Sequence, residues 1–291
     1  MQQTGPGIPT NGLSRIQIVA AFSALCLLLA CSSRCARAAS DLPPQHASAK
    51  QIVATLLANE DAASRHRDHY AFLSQERSGR TGGHLWTENV VETSAGVIRM
   101  LRSEDGKPLS PERRAREHER LAAIAADPAG FATRSQAQKD DEDYARQMEW
   151  LVGRAFNFSD AGSEDGFLRI DFTPNPSFRT QSFVQRVMHS ISGSLLIDPK
   201  TMRLHRLEGR LLQDVNLGFG ILAKIRAGSR FGVTRDHPGV PEWKMTEYDT
   251  DFNGRILFLK SILWNAHAVH RDFVRVPNDI SVAQAVAMLE K

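Results

Sequence analysis

The chain has 291 residues, 42% hydrophobic and 24% charged, enough for one large globular domain or two small ones. Its formal charge of +3 comes from the first 38 residues, where Arg15, Arg34 and Arg37 stand without an acid; the remainder holds 33 basic against 33 acidic residues. With that balance no basic stripe remains to argue for nucleic-acid binding. With Cys26, Cys31 and Cys35 all ahead of residue 39, the rest of the chain can form neither a disulfide nor a thiolate site.

Arg15 precedes an apolar run over 16–30 that is short for a bilayer span, and Ala36-Arg37-Ala38 is a small-x-small cleavage pattern. The expectation is a secretory signal peptide over 1–38 and a single periplasmic domain over 39–291. A second reading takes Leu28-Leu29-Ala30-Cys31 as a lipobox-like run. The signal then ends at residue 30, Cys31 carries the lipid, and the protein is an outer-membrane-anchored lipoprotein.

Ser48-Ala-Lys-Gln51 is a capping box that opens a helix with Ile52, Val53, Leu56 and Leu57 on one face. Strands follow over 70–77, 84–93 and 97–103, the last two joined through Ser94-Ala95-Gly96, as a meander. Ser110-Pro111-Glu112 starts a helix with good cap chemistry, and its many charges over 110–126 are expected on a solvated face. A second helix is expected from about Asp140, with Tyr144, Met148, Leu151, Val152 and Ala155 as its apolar stripe. Residues 107–158 read as a helical insert or lid between halves of one sheet.

Strands resume over 167–173, 183–197 and 202–212, with Asp198-Pro199 as a turn signal. From Val215 to Ala227 a period of two places Val215, Leu217, Phe219, Ile221 and Ile225 on one face of a long strand. That face is either plain core or the wall of an apolar cavity. Strands over 243–248 and 255–264 are joined at Asn253-Gly254, a hairpin signal, and 267–276 is the last strand. Ser281-Val-Ala-Gln284 is a capping box for a closing helix. The expected fold class is α+β: about ten or eleven antiparallel strands, curled, with hairpin connections.

Chemistry is sparse. Asp249-x-Asp251-x-Asn253-Gly254 matches half a calcium loop, but Lys260 stands where the bidentate Glu belongs, so a polar hairpin tip is the reading. His66 with His69, and His267 with His270, could hold zinc only if the pairs met in space. No nucleophile elbow, phosphate loop or dinucleotide fingerprint occurs. The chain therefore reads as a non-enzyme with no cofactor and no metal.

The segment Gly193-Ser-Leu-Leu-Ile-Asp198-Pro-Lys-Thr201-x-Arg203-Leu204 resembles the strand-turn-strand of the LolA/LolB superfamily of lipoprotein carriers and sorting proteins. The resemblance implies an incomplete barrel whose concave apolar face, covered by helices, receives acyl chains. It implies binding of a lipid acyl chain or lipoprotein without catalysis. The alternatives are an RseB-like sensor that binds an envelope protein partner and, last, a metal-dependent enzyme.

Overall fold

The computed structural model describes residues 47–65, 68–136, 152–217, 223–256 and 262–291. The leader with Cys31, and the stripe residues Tyr144, Met148 and Leu151, lie outside them.

Helix α1 (Ala49–Ser64) opens on the expected capping box, with Ser48 accepting from the Gln51 N–H and the Gln51 side chain accepting from the Ser48 N–H at 2.8 Å. The first meander also forms, as β1 (His69–Arg77), β2 (Leu85–Thr93) and β3 (Gly96–Glu104). Its tight turn is held by Thr93, whose hydroxyl donates to the Gly96 carbonyl at 2.8 Å. A short edge strand, β4 (Lys107–Pro108), precedes α2 (Pro111–Ala126) and a helical stretch over 128–136. Then come β5 (Phe156–Glu164), β6 (Phe167–Pro174), α3 (Phe183–Met188), β7 (Ile191–Ile197) and β8 (Leu204–Leu211). The chain continues through β9 (Val215–Leu217), β10 (Ala223–Ile225), β11 (Arg230–Asp236), β12 (Lys244–Ile256), β13 (Ile262–Val276) and α4 (Val282–Leu289).

The fold is α+β around one large, open antiparallel sheet, with thirteen strands among the described residues. Its order is β4-β3-β2-β1-β13-β12-β11-β8-β7-β6-β5, with the β9–β10 hairpin attached to β12. The C-terminal strand β13 enters between β1 and β12 and so joins the two meanders. Among the described residues, the chain leaves the sheet after β4, at one end of the strand order, and rejoins it at β5, at the other.

Three local expectations are corrected. The stretch 183–197 is not one strand. Ser182 accepts from the Gln185 N–H at 3.1 Å and Gln185 accepts from the Gln181 N–H at 2.7 Å, so a short capped helix precedes β7. The alternating run 215–227 is not one long strand either. Val215 pairs with Ile225 and Leu217 with Ala223, so the chain folds back on itself as a hairpin. Nor does Asn253-Gly254 turn: β12 runs straight through it to Ile256. A Cβ on Gly254 would meet the Lys224 carbonyl oxygen at 2.7 Å, so this glycine serves close approach to β10 rather than reversal.

Strand register places two cores on opposite faces of the sheet. Ile170, Leu195, Leu207 and Val233 lie in line across β6, β7, β8 and β11, and α1 covers them with Ile52, Val53 and Leu56. The other core lies at the far end and on the reverse face. There Val91 and Ile98, paired across β2 and β3, pack under Val286 and Leu289 of α4, with Leu121 of α2 beside them. Helices therefore cover both faces, one at each end.

Candidate functional site

Two concavities are the candidate sites, and each follows from the strand alternation. The first is a groove of about 1050 Å³ on the face of β6–β8 and β11–β13 that points away from α1. The same period of two that turns Ile170 and Leu195 inward turns polar side chains out here. The charges are paired: Arg169 with Asp171 at 3.0 Å, Arg206 with Glu208 at 2.5 Å and Arg230 with Asp251 at 3.5 Å. His267 Nδ1 lies 2.7 Å from Asp249 across β12 and β13. Glu247, Asp249 and His267 bring one ligand atom each within 4.8 Å of one another, so this trio is where a divalent cation could be held among the described residues. As it stands, His267 and Asp249 are already hydrogen-bonded to each other on the exposed surface.

The second concavity is a pocket of about 600 Å³ where α2 leans over the β2–β3 edge. Its wall includes Trp86, Val97, Leu101, Ile124 and Phe131, and its rim carries Arg80, Arg99, Arg113, Arg116 and Arg120. The helix is docked by Glu117, which accepts the Leu101 N–H at 2.9 Å and so satisfies a donor on the strand next to the sheet edge. Burial pushes the Glu117 carboxyl up, but Arg120 and the Leu101 N–H outweigh it and hold it below the ordinary range. Arg80 is gripped by Glu76 and by Glu88, each at 2.6 Å, and Arg99 adds a second bond to Glu88 at 3.3 Å. The Arg113 guanidinium reaches Glu104 at 3.3 Å and lies 5.8 Å from the centre of the Trp86 ring.

The expected apolar wall over 215–225 is only partly in view. Val215 and Ile225 are 5% and 8% exposed and belong to the solid core under α1. The side chain of Leu217, and Phe219 and Ile221 altogether, fall outside the described residues. The half calcium loop is mid-strand, so Asp249, Asp251 and Asn253 line one face in a row and do not converge. The histidine pairs do not meet. His66 is outside the described residues, while His69 and His267 pair at opposite ends of β1, with Val276 and Arg77. His270 is on the opposite face to His267 and buried. Burial, with Arg99 nearby, pulls its pKa down to about 4, so it is neutral at pH 7.

A further buried polar cluster joins β1 to the loop before β12. The Tyr70 hydroxyl donates to Glu242, and the Lys244 ammonium lies 3.5 Å from the centre of the Tyr70 ring. Asp68 accepts from Arg275 at 2.7 Å and from Asn278 at 2.9 Å. Burial and the neighbouring Asp68 push the Glu242 carboxyl up. Burial acts the same way on Asp68, but Asn278, Glu242 and Arg275 reverse it, so Glu242 is the carboxyl that keeps its proton longer. Tyr70, Glu242, Asp68 and Lys244 are all at most 6% exposed.

The pocket under α2 escapes a reading of the sequence because its lining comes from three separated stretches. The one local signal was the density of arginine over 113–120, which reads equally as a solvated helix face. No helix among the described residues is long and apolar enough to cross a membrane. No family model, curated protein or solved structure matches the chain.

Proposed function

We propose that the protein is an exported, non-enzymatic binding module of the bacterial cell envelope that takes acyl chains or lipoproteins. The frame is the incomplete barrel implied by its LolA/LolB-like segment, with either a free periplasmic N-terminus or a lipid on Cys31. The observation that carries the reading is the pocket under α2, with an apolar wall of Trp86, Val97, Leu101, Ile124 and Phe131. Its size falls within the range of small-molecule sites, and acyl burial there gains about 0.8 kcal/mol per methylene.

Native mass spectrometry of full-length protein purified from a bacterial envelope, followed by solvent extraction, tests it. The expected result is a co-purifying acyl species that is lost in Ile124→Asp, while far-ultraviolet circular dichroism is unchanged. A clean ligand-free mass overturns the acyl-binding reading. The same spectrum reads the N-terminus as Ala39 or as acylated Cys31.

The charged groove favours a second reading, an RseB-like interaction module. A face of paired charges spread over six strands suits a protein partner better than an acyl chain. A stable envelope partner retained in the absence of lipid, and lost in an Arg206→Glu/Arg230→Glu double variant, supports this reading; retention in that variant sinks it.

A further inference from the structure

We propose that the arginine rim of the α2 pocket selects single-chain amphiphiles with an anionic headgroup, carboxylate or phosphate, and that Arg116 reads the head. This rests on the acyl-binding reading and adds to it a ligand class and a specificity residue.

The argument starts from charge. Five arginines line the pocket, against the carboxylates of Glu88 and Glu117. Four of the arginines are engaged. Arg80 and Arg99 converge on Glu88, Arg113 on Glu104, and Arg120 on Glu117 at 2.7 Å. Arg116 makes no hydrogen bond or ion pair among the described residues. Its charge is felt by Glu112, one turn earlier on the same helix. Among the described residues, the rim thus holds one guanidinium without an ion-pair partner beside four that have one.

The layout is amphiphilic. The guanidinium groups of Arg113 and Arg80 lie 5.8 and 5.4 Å from the Trp86 ring centre, so Trp86 stands where the charged rim meets the apolar wall. The same lining includes Leu101, 7% exposed, and Phe131, 8% exposed. A ligand that put an acyl chain on that wall would carry its head to the rim. A guanidinium offers two parallel donors that match a carboxylate or phosphate. A neutral sugar head could not supply the countercharge.

Isothermal titration calorimetry on the full chain tests this. The probes are dodecanoate, dodecyl phosphate and dodecyl maltoside below their micelle concentrations, and inorganic phosphate. The expected result is that one or both anionic amphiphiles bind about tenfold tighter than the maltoside, the worth of one charge-assisted contact. Dodecanoate against dodecyl phosphate decides which head is preferred. Arg116→Glu should remove that advantage, so that the anionic amphiphiles bind no tighter than the maltoside.

Equal affinity for anionic and neutral heads, or an Arg116→Glu variant with the wild-type preference, overturns the inference and leaves the acyl-binding reading standing. Inorganic phosphate binding as tightly as dodecyl phosphate also overturns it, because the chain then contributes nothing. If none of the dodecyl ligands binds, both fall. Arg116 is exposed on α2, so the variant is not expected to disturb folding.

Discussion

Glu60 is the residue on which α1 is anchored. It is 3% exposed, accepts from Arg203 at 2.9 Å and from the fully buried Arg235 at 2.7 Å, and also takes the Leu204 N–H at 3.1 Å. Burial pushes its carboxyl up, yet Arg235 and Arg203 outweigh this and hold it below its ordinary value. Glu60→Gln leaves Arg235 buried beside a neutral partner and should cost about 3–5 kcal/mol, read from urea unfolding. Because the folded value is depressed, the contribution of Glu60 is present above pH 4.5 and is lost only as pH falls below it. His270 acts in a different window. Its folded pKa of about 4 lies under the ordinary 6.5, so the unfolded chain takes up its proton first as pH falls. Stability should drop by about 3 kcal/mol between pH 6.5 and pH 4. Urea midpoints at pH 7 and pH 5 should diverge in the wild type and draw together in His270→Gln; equal divergence in both would remove His270 as the cause.

The elements divide by how local their signals are. Helices α1, α2 and α4 start where Ser48, Ser110 and Ser281 cap them, each accepting from a backbone N–H three residues on. Those contacts span one turn and are legible in a single sequence. What α2 does was not, because its role depends on β3. Its charged surface hides one fully buried anchor, Leu121, which packs beside α4. Leu121→Ala should destabilise by about 2–5 kcal/mol, whereas Arg116→Ala should stay within about 0.5 kcal/mol. Thermal melts of the two variants separate the anchor from the rim. Glycines carry the same lesson. Gly254 has the sequence context of a turn residue, yet the carbonyl it must let past belongs to Lys224, about thirty positions earlier. Gly209 likewise gives way to the Phe231 ring, which a Cβ would meet at 2.6 Å.

At the scale of the whole molecule, α4 closes the core at one end of the sheet. Removing residues 281–291 would uncover Val91, Ile98 and Val276, all at most 4% exposed. The truncated protein should bind a hydrophobic dye and scatter light at concentrations where the full chain does not. An unchanged soluble monomer would show that α4 is dispensable. The fold class, the antiparallel meander of β1–β3, the hairpin at Asp198-Pro199 and the capped helices α1, α2 and α4 are legible in the sequence alone, because turn chemistry, capping and periodicity act over a few residues. It could not place β13 between β1 and β12, nor set α1 and α4 on opposite faces. Alternation says that a strand has an inner and an outer side, but not which side of the sheet a distant helix will cover. The same limit hid the α2 pocket and the charged groove. Each is assembled from strands far apart in sequence, and only the long-range pairing through β13 and the docking of Glu117 on Leu101 bring their residues together.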